Sequence, residues 1–197
     1  LQGCNEPEID EELKKSVAPN GEKIIAHVSN FRKVKRVHDV VEVFSKVREK
    51  MPCKLLLIGD GPDRYEAEQY CRQRGYSDDL TVLGKVRDTE RVLSIADLFL
   101  LTSEFESFGL AALEAMAVGV PVISSNTGGI PEVNEQGFSG YLKNVGDVEG
   151  MAQSAIALLQ DEVQLEKMKK QAFVQAKKFD LLNILPLYEQ LYQSVIK

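Results

Sequence analysis

The sequence is short of the residues that build metal and redox centres. Its only histidines are His27 and His38, and its three cysteines, Cys4, Cys53 and Cys71, include no CxxC pair. The recurrent zinc and dithiol spacings are therefore missing, and the odd thiol count fits a reducing compartment, so a cytoplasmic protein is expected. No apolar run approaches the roughly 20 residues of a membrane span, and no secretory leader is recognisable. An excess of positive charge is lacking too. The 24 basic and 30 acidic residues give a formal charge of -6, which favours solubility and advertises no nucleic-acid surface, while leaving room for a local phosphate grip. There is no fixed-period repeat, no low-complexity tract and no GxGxxG dinucleotide fingerprint. The chain begins Leu1-Gln-Gly-Cys rather than with Met, and it reads as a fragment or processed form.

What is present is enough apolar sequence for one substantial core: 44% of 197 residues. Residues 1–21 are polar, with a short helix expected from Ile9 to Val17, and read as a connector from a preceding domain. Strands are expected at Lys23–Ser29, Cys53–Ile58, Leu80–Leu83, within the run Ala96–Thr102, at Val120–Ser124 and at Ser139–Lys143. Helical periodicity occupies the intervals: Val37–Lys50, Asp63–Arg74, Asp88 or Thr89 to Ile95, and Gly109–Val118. Three further helices are expected at Val148–Leu159, Glu162–Phe179 and Leu182–Ile196, the last disturbed by Pro186. Strands alternating with helices define an α/β fold with a doubly wound, Rossmann-like parallel sheet. The sheet domain is placed at 22–160, with residues 161–197 as helices packing on it or toward another domain.

The organising stretch runs from Glu104 to Ile123: strand end, loop with carboxylates, helix, then strand. Gly119 and Pro121 stop the helix, and the short strand-helix-strand unit requires a right-handed parallel crossover. The loop Ser103–Phe108 then lies at a strand carboxyl end and a helix amino end, where open parallel sheets bind ligands and free N–H groups favour anions. Glu106 and Glu114 would stand about 12 Å apart in one ideal helix, too far for paired-acid hydrolysis. With Glu106 in the loop, they can flank one extended ligand instead, their carboxylates taking sugar hydroxyls while the N–H groups of Phe108, Gly109 and Leu110 take phosphate oxygens. Phosphate plus hydroxyls suggests a nucleotide sugar. Each feature also has a plainer reading. Glu106 suits a helix amino end through the dipole alone; the basic loop Arg32, Lys33, Lys35 and Arg36 suits a solvated surface; Gly59-Asp-Gly-Pro62 and Gly128-Gly129 suit structural turns; and both histidines suit ordinary hydrogen bonding. Glu114 is harder to dismiss, because it interrupts an apolar segment and a buried carboxylate needs partners.

The stretch Glu106-Ser-Phe-Gly-Leu-Ala-Ala-Leu-Glu114 resembles the paired-glutamate signature of retaining, glycogen-synthase-like nucleotide-sugar glycosyltransferases (glycosyltransferase family 4) with two Rossmann domains. Leu57-Ile-Gly-Asp-Gly-Pro62, Gly119-Val-Pro-Val-Ile123 and Thr127-Gly-Gly-Ile-Pro-Glu132 resemble the same family. The resemblance implies the carboxyl-terminal, donor-binding half of a GT-B enzyme whose other Rossmann-like domain reads the acceptor. It implies that Glu114 holds the ribose, that Glu106 with the backbone of Ser107, Phe108, Gly109 and Leu110 faces the donor sugar and diphosphate, and that Lys35 grips the diphosphate. The family's glycine-arginine pair stands here as Ser29–Asn30, so Arg32 is the candidate for the missing charge. Gly59 would approach the donor, and the base would lie between Val82 and Arg87. No metal or other cofactor is implied. The loop Ser29-Asn-Phe-Arg-Lys-Val-Lys-Arg36 is similar to the branch of the family that transfers N-acetylglucosamine from UDP-GlcNAc to L-malate in bacillithiol biosynthesis, which implies a small anionic acceptor; a homo-oligomer is compatible with it. Two rival readings stand beside this one: another sugar-nucleotide enzyme, such as an epimerase or a phosphorylase, and a noncatalytic nucleotide-binding module.

Overall fold

The computed structural model describes residues 9–179; Cys4, the first eight residues of the connector and the expected helix Leu182–Ile196 with Pro186 lie outside them. Six strands, β1 Lys23–Val28, β2 Cys53–Ile58, β3 Leu80–Gly84, β4 Leu98–Leu101, β5 Val122–Ser125 and β6 Gly140–Lys143, form one sheet in the order β3-β2-β1-β4-β5-β6. Every pairing is parallel. All four residues of β4 and of β5 are buried, because helices cover both faces; this explains why β4 reads as an apolar run rather than as an alternation.

The helices are α1 Glu11–Val17, α2 Val37–Arg48, α3 Arg64–Gln73, α4 Thr89–Leu93, α5 Leu110–Ala117, α6 Ile130–Val133, α7 Val148–Gln160 and α8 Glu162–Lys177. Successive side chains of a strand point to opposite faces, so Ile24, Ala26, Leu56 and Ile58 pack with α4, α5 and α6, while Ile25, Leu55 and Leu57 pack with α2, α3 and α7. Aspartates cap four of these helices. Asp10, Asp88, Asp147 and Asp161 each accept a backbone N–H three residues on, satisfying donors that an isolated first turn leaves unpaired. Residues Val17 and Ala18, inside the stretch read as a connector, are buried in the sheet core.

Boundaries differ from expectation by a residue or two. Val120 and Pro121 precede β5 rather than open it, since Pro121 has no N–H for a ladder and offers its carbonyl to Phe99 N–H at 2.9 Å. The basic stretch expected as a plain loop contains a 3-10 turn at Lys33–Lys35, flanked by Phe31 and Arg36 at φ +40° and +48°. Phe31 is fully buried there, an anchor that the charge-dominated sequence around it conceals.

Candidate functional site: a cleft at the switch point of the sheet

Strand order reverses between β1 and β4, so the loops leaving their carboxyl ends diverge and leave a crevice between them. The β1 loop carries Lys35 into this crevice; the β4 loop carries Glu106. Lys35 Nζ donates to Glu106 Oε1 at 2.5 Å, and Ser103 Oγ donates to the same oxygen at 2.7 Å. Both charged side chains are largely shielded, 20% and 13% exposed. Below them Thr102 Oγ1 lies 2.9 and 3.0 Å from the carbonyls of Lys35 and Arg36, and Glu104 N–H donates to Val34 O at 2.8 Å. The two loops are thus stitched together by backbone as well as by charge.

Helix α5 opens directly beyond Glu106. The N–H groups of Phe108, Gly109 and Leu110 head it, where no preceding turn supplies acceptors. The β5–α6 loop buttresses this end: Gly129 N–H donates to Glu106 O at 3.0 Å, and a Cβ added at Gly128 would lie 1.9 Å from the same carbonyl. Gly128-Gly129 therefore serves close packing against the Glu106 loop. Glu114, one turn into α5, is half-buried and makes no hydrogen bond or ion pair with the described residues; burial, with Glu90 nearby, raises its carboxyl pKa. A carboxylate left in this state is suited to accept hydroxyl donors.

The remaining sequence candidates divide. Arg32, Asn30 and Arg87 are exposed at the carboxyl-terminal edge, and neither arginine is ion-paired with the described residues, so both are free to meet an anion. Ser107, Phe108 and Leu110 are exposed, and Phe108 meets Phe179 edge-on with ring centroids 5.9 Å apart. Ser29 is turned inward: its hydroxyl meets His27 Nε2 at 2.8 Å and accepts Phe31 N–H at 3.2 Å. Gly59 packs on that same segment, where a Cβ would come 1.9 Å from Ser29 O. Val82 is mid-strand and packs its side chain into the core; a base near β3 would have to meet the residues after Gly84. His38, on α2, stacks on Tyr70 at 4.1 Å and stays outside the crevice. Among the described residues, no group of three or more His, Cys, Asp or Glu is placed to hold a metal ion, and no helix is long and apolar enough to cross a membrane.

Three residues beside the site were given no role there by the sequence: Thr102, Ser103, which only opens the candidate loop, and His27, read as making ordinary hydrogen bonds. The first two have a signal, a polar pair ending a buried strand, but their partners lie in another loop. His27 is fully buried, and the loss of solvation, assisted by the Lys35 charge, lowers its pKa to about 4 despite the Leu100 carbonyl and Glu106. Unfolded imidazole titrates near 6.5, so below that pH the unfolded chain takes up a proton that the folded chain refuses until about pH 4. Stability is expected to fall by about 1.4 kcal/mol per pH unit between pH 6.5 and 5 from this group. Urea unfolding across that interval checks it: His27→Asn should flatten the slope, and an unchanged slope would contradict this account.

A cavity of about 400 Å³ opens at the opposite, amino-terminal edge of the sheet, beside Asp97, Gly119, Lys169 and Phe173. Lys169 there is already paired with Asp97 and Glu166.

An all-parallel sheet with paired carboxylate, lysine and helix amino end at its switch point defines the Rossmann-like carboxyl-terminal domain of the GT-B fold. The chain belongs to the glycosyl transferases group 1 family, whose pattern matches residues 8–175. It is 45% identical over 188 residues to N-acetyl-alpha-D-glucosaminyl L-malate synthase of Bacillus anthracis, covering 94% of this chain and 49% of that protein. Sucrose-phosphate synthase of Thermosynechococcus elongatus superposes with a TM-score of 0.81 at 25% identity, over 95% of this chain and 49% of that one. Anabaena HepE in complex with UDP superposes with a TM-score of 0.84 at 22% identity, over 93% of this chain and 52% of that one. The chain spans about half the length of the curated synthase it matches.

Proposed function

We propose that this chain is the donor-binding half of a retaining glycosyltransferase that moves N-acetylglucosamine from UDP-GlcNAc to a small anionic acceptor, L-malate. The observation that carries the reading is the convergence of Lys35, Glu106 and the head of α5 on one crevice. Support for the donor and acceptor comes from the 45% identity to the L-malate synthase; the acceptor would be read by the other domain.

In this scheme the diphosphate lies across the amino end of α5, between Lys35 and the exposed Arg32, with the ribose hydroxyls on Glu114. Negative charge grows on the leaving diphosphate in the transition state, and a fixed ammonium group with oriented N–H donors is worth most there. Glu106 orients the donor sugar rather than attacking it: Oε1 already accepts from Lys35 and Ser103, which lowers its nucleophilicity. Transfer on the face from which the phosphate departs then retains configuration, with the leaving oxygen receiving the acceptor proton. No metal is assigned a role, since this chain's own cations meet the diphosphate.

Calorimetric titration with UDP, UDP-GlcNAc, ADP and GDP in metal-free buffer tests the donor assignment, and the whole protein with L-malate tests the transfer. Glu114→Ala is expected to weaken UDP binding by about tenfold or more, the loss of charge-assisted hydroxyl bonds. Unchanged affinity would remove Glu114 from the ribose site. Formation of an isomerised donor, or phosphorolysis, would instead favour an epimerase or a phosphorylase; uridine binding by the whole protein without transfer to any acceptor would favour a binding module.

A further inference from the structure

We infer that His27 is a positioning residue for the donor loop: acting through Ser29, it sets the backbone of residues 29–36 and so the placement of Arg32 and Lys35. The inference rests on the donor-site reading above.

The β1–β4 pairing ends at Ala26 and Phe99. One residue further on, the His27 side chain bridges the splaying strands, with Nδ1 2.9 Å from Leu100 O. A carbonyl only accepts, so Nδ1 carries the proton; the ring is neutral at pH 7, so Nε2 is left as an acceptor. The Ser29 hydroxyl therefore donates to Nε2, and its oxygen accepts the Phe31 N–H. Each hydrogen in this relay has one assignment.

The relay ends on a residue that needs holding. Phe31 has φ +40°, a left-handed conformation that strains a bulky L-residue. Its buried ring stands edge-on to the His27 ring, centroids 6.0 Å apart at 72°. Directly after this pinned residue come exposed Arg32 and the 3-10 turn Lys33–Lys35, whose last residue reaches Glu106. Ser29 and Asn30 are held from the other side by the β2 loop, their carbonyls lying where Cβ atoms at Gly59 and Gly61 would stand. The loop is thus clamped between a glycine surface and one imidazole, and the basic side chains emerge from the clamped end.

Isosteric variants separate the two ends of the relay. His27→Asn leaves an amide donor near Nδ1 for Leu100 but removes the acceptor for Ser29. His27→Gln places an amide oxygen near Nε2 and keeps it. Calorimetric UDP titration of the chain, alongside urea unfolding, is expected to show binding about tenfold weaker in His27→Asn and within about threefold of the parent in His27→Gln, whatever their relative stabilities. Ser29→Ala, which deletes one oxygen and leaves the imidazole in place, should match His27→Asn, and the two together should add little further loss. UDP affinities that are equal across the parent and all three variants, or that follow stability alone, would overturn the inference and leave His27 as a core residue. If the parent binds no uridine nucleotide, either as this chain or in the whole protein, the donor-site reading fails first, and this inference with it.

Discussion

Lys35→Ala is expected to weaken UDP binding by about 100-fold and to slow glycosyl transfer by the whole protein by about a thousandfold. Two effects act in the same direction. The ammonium group that would meet the diphosphate is lost, and Glu106, 13% exposed, is left with Ser103 as its remaining side-chain donor among the described residues. The site thus changes by a full unit of charge at a place where water screens poorly. Transfer should suffer more than binding, since charge on the leaving diphosphate is greatest in the transition state. Lys35→Arg keeps the charge but replaces a compact ammonium by a planar fork, so partial binding with poor transfer is expected. Calorimetry with UDP and product formation from UDP-GlcNAc provide the two readings; affinity and rate both within about threefold of the parent would remove Lys35 from the diphosphate site.

Gly59→Ala should be the most damaging single methyl group in the β2 loop, destabilising the fold by about 3 kcal/mol or more. The residue has φ +122°, outside the range that side-chain-bearing residues adopt, and the new Cβ would lie 1.9 Å from Ser29 O. The neighbouring group is backbone at the end of β1, so relief requires the whole Ser29–Phe31 segment to move. That movement would drag the basic loop, and UDP binding is expected to fail even at temperatures where the variant is still folded. Urea unfolding and UDP titration check the two parts. A variant within about 1 kcal/mol of the parent would show that this contact is loose.

Much of the scaffold was legible locally. Strand β2 runs over Cys53–Ile58, as its apolar run Leu55–Ile58 leads one to expect, and α5 lies within the Gly109–Val118 segment whose apolar spacing and terminal Gly119 announce a helix. The Glu106 loop was also legible as a strand-to-helix junction, because chain order alone places a carboxyl-terminal strand end before an amino-terminal helix end. Less legible was the β1 loop, where four positive charges in Arg32–Arg36 suggest a solvated surface and mask buried Phe31. Nothing in the sequence around Ser29 shows that its hydroxyl meets His27, which lies on the adjoining strand. Gly59, Gly61 and Gly128 read first as turns; the carbonyls that press on them show a further reason for glycine, close packing, and those carbonyls belong to distant segments.

The sequence by itself determined the alternation of strand and helix and the family pattern, since each depends on side-chain periodicity or spacing within one stretch of chain. Tertiary structure decided which loops share a site. Lys35 and Glu106 are separated by 71 positions and meet because the strand order sets β1 beside β4. It also decided that His27 stays neutral and that Glu114 is half-buried with no cation partner among the described residues, because desolvation and charge balance are properties of everything packed around a group rather than of its neighbours in the chain.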